Sequence, residues 1–251
     1  MNFEELDGKM REFEQSIDQR VIPDVYMVAR LDGRGFSRLT KELCDFEKPF
    51  DVRFRDMMIK TTEELMNCGF RVVYGYTESD EISLLFHREE STFGRKVRKY
   101  DSILAGQGSA ALALQLGRVV ALDCRIIPLP NEERVQDYFL WRQEDAHRNA
   151  LNAHCYWLLR GEGMSASAAT AELEGQSVAY KNELLFSRGI NFDKIPSWQK
   201  RGVGLYWVDK EIQGFDPKRG VPVTAIRRGL KTELELPLGK AYADMISDFL
   251  T

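Results

Sequence analysis

The order in which the apolar period changes along residues 20–128 constrains this chain more than any other feature. Val25 to Leu31 is a short apolar run closed by Asp32-Gly33, and its length predicts a strand. Residues 51–67 carry apolar side chains at Phe54, Met57, Met58 and Leu65, with Gly69 placed to stop a helix. Two strands are expected over 70–76 and 81–86, joined through Thr77-Glu78-Ser79-Asp80. A helix rich in small residues over 96–116 and a strand over 119–127, ended by Pro128, complete the series. The order β-α-β-β-α-β is the ferredoxin-like split motif. Beyond it, residues 131–160 predict one long helix capped by Asn131, and 165–173 and 176–186 two more. Short strands over 202–208 and 221–227 follow, then an amphipathic helix from Gly239. The expected fold is α/β (α+β): one compact unit over residues 1–251. Its sheet core lies at 20–128, and a mainly helical half with short strands at 129–251.

That motif has a chemical consequence. With strand order 4-1-3-2, the first and third strands are antiparallel neighbours, so the end of one meets the start of the other. Asp32 stands at the first place and Asp80-Glu81 at the second. Three carboxylates at one sheet edge repel each other unless a cation joins them. Mg²⁺ suits such a place, because it takes one or two carboxylates plus substrate phosphates. Two such ions can activate a hydroxyl and stabilise a leaving phosphate oxygen. Read singly, Asp32-Gly33 and Ser79-Asp80 are ordinary turn dipeptides; only the topology joins them.

The chain has 35 Lys and Arg against 39 Asp and Glu, so net charge does not draw it to nucleic acid and local basic stretches must serve. Arg88, Arg95, Lys96, Arg98 and Lys99 lead into a helix N-terminus, which favours anions. Lys41 and Lys48 follow Asp32-Gly33-Arg34-Gly35, whose glycines let backbone N–H groups approach phosphate. Each stretch reads equally well as a solvated face or a plain loop. On the long helix, His147-Arg148 suits either an RNA phosphate or a surface pair. His154 and Cys155 are consecutive on that helix, point apart, and make no dyad. Cys44, Cys68, Cys124 and Cys155 fall in no CxxC spacing, and three histidines add no local zinc motif. No apolar run approaches a membrane span. The acidic, amphipathic N-terminus differs from a secretory signal, so a reducing cytoplasm is the expected compartment.

Arg30-Leu-Asp-Gly-Arg-Gly-Phe36, Glu78-Ser-Asp-Glu-Ile-Ser83, Trp141-Arg-Gln143 with His147, and Lys181-Asn-Glu-Leu-Leu-Phe186 occur in that order. As an ordered set they resemble the tRNA-His guanylyltransferase family. The resemblance implies a polymerase-palm-like core that runs in the opposite direction, adding nucleotides to the 5′ end of tRNA. ATP activates a 5′-monophosphate as an adenylylated end; the 3′-hydroxyl of GTP then attacks that end and displaces AMP. The resemblance also implies that Asp32 and Asp80 hold two Mg²⁺ ions, with the Gly33 carbonyl as a further ligand and Glu81 as a supporting catalytic carboxylate. Nucleotide contacts are implied for Asp32, Gly33, Arg34, Gly35, Phe36, Ser37, Ser79 and Asp80. Arg30, Lys48, Lys99 and Lys181 would meet the triphosphate or the activated end. Arg95, Lys96, His147, Arg148 and Asn149 are expected to contact tRNA, and a homotetramer would pool basic patches from several copies.

Members devoted to tRNA-His read His-Ile-Asn-Asn where this chain has His147-Arg148-Asn149-Ala150. That departure resembles the like-protein branch, which repairs 5′-truncated tRNAs by copying the opposite strand of the acceptor stem. Two other readings compete. One is a nucleotide cyclase built on the same palm. The other is a noncatalytic RNA-recognition module; against it, the third strand begins Glu81-Ile-Ser rather than basic-Gly-aromatic.

Overall fold

The computed structural model describes residues 2–216 and 220–250. In chain order the elements are α1 (Phe3–Gln15), β1 (Tyr26–Gly33), the single turn α2 (Phe36–Arg38), α3 (Val52–Met66), β2 (Val72–Glu78), β3 (Glu81–Phe86), α4 (Val97–Leu116) and β4 (Leu122–Leu129). Then come α5 (Glu132–Gly161), α6 (Ala166–Leu173), α7 (Val178–Phe186), the short α8 (Ser197–Arg201), β5 (Val203–Asp216), β6 (Val221–Glu233) and α9 (Lys240–Ser247). The strands form one sheet in the order β4-β1-β3-β2-β5-β6, so β1 and β3 are the expected antiparallel neighbours.

Side chains alternate across each strand, and both faces are covered. Ala29, Leu31, Ile82 and Leu84 pack with Met58 and Leu65 of α3 and with Leu104 and Leu112 of α4. On the other face Val28, Leu85, Tyr74 and Tyr76 meet Val135, Tyr138 and Phe139 of α5, with Tyr242 and Ile246 of α9. β3 lies in the middle, and all six of its residues are buried. α5 is 30 residues long, about 45 Å. Its first half therefore covers the sheet while its second half packs Leu151, Cys155 and Leu159 against Ala169, Leu173 and Leu185 of α6 and α7.

Three expectations change. Asp32 and Gly33 do not close β1 as a turn: they continue it, paired with Asp123 and Leu122 of β4. Pro128 does not end β4 but lies inside it opposite Met27. A sheet edge tolerates proline because no neighbour needs its missing N–H. The C-terminal half is not merely helical with short strands. β5 pairs with β2 from Val203 to Tyr206 and so joins the core sheet, then runs on with β6 as a long two-stranded ribbon. The Asp209-Lys210-Glu211 run hid it: these residues and their partners Ile226, Arg227 and Arg228 are exposed, so this stretch needs no apolar alternation.

Candidate active site

Arg30 and Asp32 alternate onto the α5 side of β1, and Glu81 and Ser83 do the same on β3, in a register that sets Arg30 beside Ser83. Ser79 and Asp80 alone link β2 to β3, and Ser79 adopts φ +49° to make the turn. This turn carries Asp80 back to the end of β1. A Cβ on Gly33 would lie 2.7 Å from Asp80 Oδ2 and 2.4 Å from the Phe36 ring, so the missing side chain is what lets the carboxylate rest against the strand. Burial raises the Asp80 pKa to about 6, and the Asp32 charge adds to the rise. A carboxylate held this way favours a bound cation over water.

Glu81 lies on the same edge but is held by arginines. Arg142 of α5 donates to its two oxygens at 2.7 and 2.8 Å, and Arg30 lies 3.6 Å away. The same guanidinium reaches Asp145 at 3.0 Å and Glu78 at 3.5 Å. Burial pushes Glu81 upward against the pull of Arg142, and lifts Glu78 to about 8 with the Glu81 charge assisting. Among the described residues no three His, Cys, Asp or Glu side chains converge on one metal position. Two carboxylates, Asp32 and Asp80, beside a strand-end carbonyl are the donor set available. Hard oxygens of that number, completed by phosphate, fit Mg²⁺.

A cavity of about 650 Å³ opens from this edge, a volume suited to a nucleotide. Asp32, Glu78, Asp80 and Glu81 form its acidic end; Phe46, Phe50, Phe54, Trp157 and Trp198 line the rest with Arg30, Lys41, Lys48 and Arg55. The Nε of Arg30 is buried and makes no hydrogen bond, and it faces Glu81 Oε2 at 3.6 Å, so its charge helps hold that carboxylate. The Lys48 ammonium donates to the Thr40 carbonyl and stands 5.6 Å above the Trp157 ring.

The family models for tRNAHis guanylyltransferase and for its C-terminal domain match residues 7–135 and 133–243. The probable tRNA(His) guanylyltransferase of Drosophila melanogaster is 34 % identical over 206 residues, 78 % of this chain and 71 % of its own length. That of Homo sapiens is 31 % identical over 95 % of this chain and 83 % of its own. The chain belongs to the tRNAHis guanylyltransferase family. It is therefore a nucleotidyltransferase. Among solved structures, a bacterial tRNA(His) guanylyltransferase-like protein in complex with ATP aligns over 98 % of this chain and 99 % of its own, with a TM-score of 0.76 at 21 % identity. The Saccharomyces cerevisiae tRNA(His) guanylyltransferase aligns over 88 % and 96 %, with a TM-score of 0.71 at 24 % identity. At such identities the likeness is one of fold.

In this guanylyltransferase fold several expected contacts lie elsewhere. Ser37, Ser79 and Asn149 line the cavity. Phe36 does not; it is buried in the core, 6.1 Å from Phe54. Gly35 begins α2 at φ +74°, and the Arg34 N–H donates to the Ala121 carbonyl at 2.9 Å; neither lines the cavity. Lys99 and Lys181 also stand outside it, Lys99 over the Phe93 ring at 5.6 Å. Arg95 is buried and donates to the Val25 carbonyl at 2.5 Å, so it braces β1 instead of offering a surface charge to tRNA. Lys96 is engaged by Asp18 at 2.6 Å. Arg148 donates to Asp145 at 2.5 Å, and His147 packs edge-on against Phe192 at 5.3 Å.

Arg142, Glu78, Asp145 and the aromatic wall escaped the sequence reading of the site. For Arg142 a signal existed. Val135, Tyr138, Phe139 and Ala146 mark the buried stripe of α5, and Arg142 falls on it, so an acidic partner was required.

The raised carboxyls set a pH dependence. A carboxyl whose pKa is higher folded than unfolded binds its proton more tightly in the native state, so stability falls as pH rises between the two values. His154, lowered by burial, acts in the opposite sense but only below its ordinary value near 6.5. Between pH 6.5 and 8.5 the melting temperature of chelator-treated protein should therefore fall, chiefly through Glu78. Glu78→Gln should flatten that slope, and thermal scans across this interval check both; an unchanged slope in the variant rejects the assignment.

Proposed function

We propose that this enzyme adds nucleotides to the 5′ end of tRNA in the 3′-to-5′ direction, rebuilding truncated acceptor stems against the opposite strand. The observation that carries the reading is the seat of Asp80 against Gly33, beside Asp32, at the mouth of a nucleotide-sized cavity. Bacterial like-proteins of the same fold have been solved in complex with ATP and with GTP, which supports a triphosphate in that cavity. Asp32, Asp80 and the Gly33 carbonyl would hold two Mg²⁺ ions, which supply charge neutralisation and an activated hydroxyl when bound. Arg30 and Lys48 line the cavity and would add positive charge beside the phosphates. In activation the tRNA 5′-phosphate attacks the α-phosphate of ATP and pyrophosphate leaves. In transfer the 3′-hydroxyl of the incoming nucleotide attacks the 5′-phosphate and AMP leaves. No side chain takes a covalent part.

Repair is favoured over dedicated guanosine addition by position 150. Where tRNA-His-devoted members carry asparagine, Ala150 is fully buried in the apolar cluster of α5 to α7 and offers no polar group. The same reading assigns several copies to the working assembly, pooling sparse basic patches, and a cytoplasmic location in keeping with four free thiols. Labelled tRNAs, intact or lacking the first 5′ nucleotide, tested with each nucleoside triphosphate, decide the matter. Addition is expected to follow the opposing base on truncated tRNAs of several kinds; guanosine added only to tRNA-His would restore the dedicated role.

A further inference from the structure

α1 has no buried residue, which is unusual for a capped helix with a strong apolar stripe. Asn2 closes a capping box with Glu5 at its start, so the helix is well nucleated. Its large apolar residues are Phe3, Leu6, Met10 and Phe13, with Ile17 just beyond, spaced three, four, three and four apart. All five are between 41 and 84 % exposed. Over α1 this is the three-four spacing of an a/d seam, continued by Ile17 in the turn that follows, and the remaining helix positions are polar or glycine.

The flanking charges select the occupant. The helix carries Glu4, Glu5, Asp7, Glu12 and Glu14 against Lys9 and Arg11, a balance that repels nucleic acid and anionic lipid surfaces. A protein helix with the same spacing remains, and the charges flanking the seam set its direction. In a parallel pair, Lys9 at a g position meets Glu14 at the following e position of the partner helix. In an antiparallel pair, Asp7 and Glu14 would face one another and repel. We infer that α1 pairs in parallel with α1 of a second copy of this chain through the Phe3-Leu6-Met10-Phe13-Ile17 seam. The inference extends the multi-copy reading above by giving it one interface, and it is independent of the catalytic assignment.

Met10→Cys in the full chain tests it. In a parallel pair both thiols sit at one a position, at a spacing a disulfide can bridge, so mild oxidation should give a linked dimer on a non-reducing gel. Wild type, and Gly8→Cys on the outer face, should give little. Leu6→Glu combined with Phe13→Glu should halve the particle mass in light scattering while the circular dichroism of the body is retained. A multi-copy wild type in which Met10→Cys fails to link, or links no better than Gly8→Cys, overturns the α1 pairing and leaves the multi-copy reading standing. A monomeric wild type overturns both.

Discussion

Asp80→Asn should lower nucleotide addition to 5′-truncated tRNA by about a thousandfold or more, because on the proposed metal role the lost carboxylate removes several kcal/mol of transition-state stabilisation. The fold should survive, and at pH 8 without divalent cation the variant should melt at the same temperature or higher. The reason lies in the native state. Burial and the Asp32 charge hold the Asp80 pKa near 6, so ionising this group opposes folding and a neutral amide relieves it. Activity and stability then move in opposite directions, which separates a functional carboxylate from a structural one. Single-turnover assays alongside calorimetry read both. Activity retained within tenfold would reject the metal assignment, and a large loss of melting temperature would make Asp80 a structural residue.

Arg142→Met should do the reverse and act mainly on stability. The guanidinium is buried and compensates Glu81, Glu78 and Asp145 together. Removing one partner of a buried charge cluster costs about 3–5 kcal/mol, because uncompensated charge is left behind. For a chain of this size that corresponds to a melting temperature lower by roughly 10 °C. Arg142→Met combined with Glu81→Gln should recover part of the loss, since the second change removes one stranded charge. Denaturant unfolding of the two single variants and the pair gives the coupling. Additive effects, or a loss below about 1 kcal/mol for Arg142→Met, would show that the network is not what holds Glu81.

Together the two experiments would separate carboxylates that act in the proposed chemistry from one held by packing. Glu81 sits one residue from Asp80, yet Arg142 binds both of its oxygens. That pair ties the start of β3 to α5.

Much of this was legible from the chain. Apolar period and stop signals located the six elements of the core and their order, and the order alone brought together Asp32 and Asp80, 48 positions apart. Those signals are local, so no distant contact was needed to read them. The ends of strands were read less well. β1 continues through Gly33 and β4 through Pro128 because each has a neighbour to pair with, and a neighbour is not visible in a local window.

What the amino-acid order determined unaided was the split motif, the family's ordered residues and the two carboxylates; that Gly33 makes room for one of them only the structure showed. What only tertiary structure decided was the direction each charged side chain faces. Arg95 turns inward to β1, Glu81 turns to Arg142, and the cavity wall assembles from Phe50, Trp157 and Trp198, which lie far apart in the chain. The physical reason is that period and capping depend on neighbours within a turn or two. Burial of a charge depends on partners that chain folding alone brings within reach.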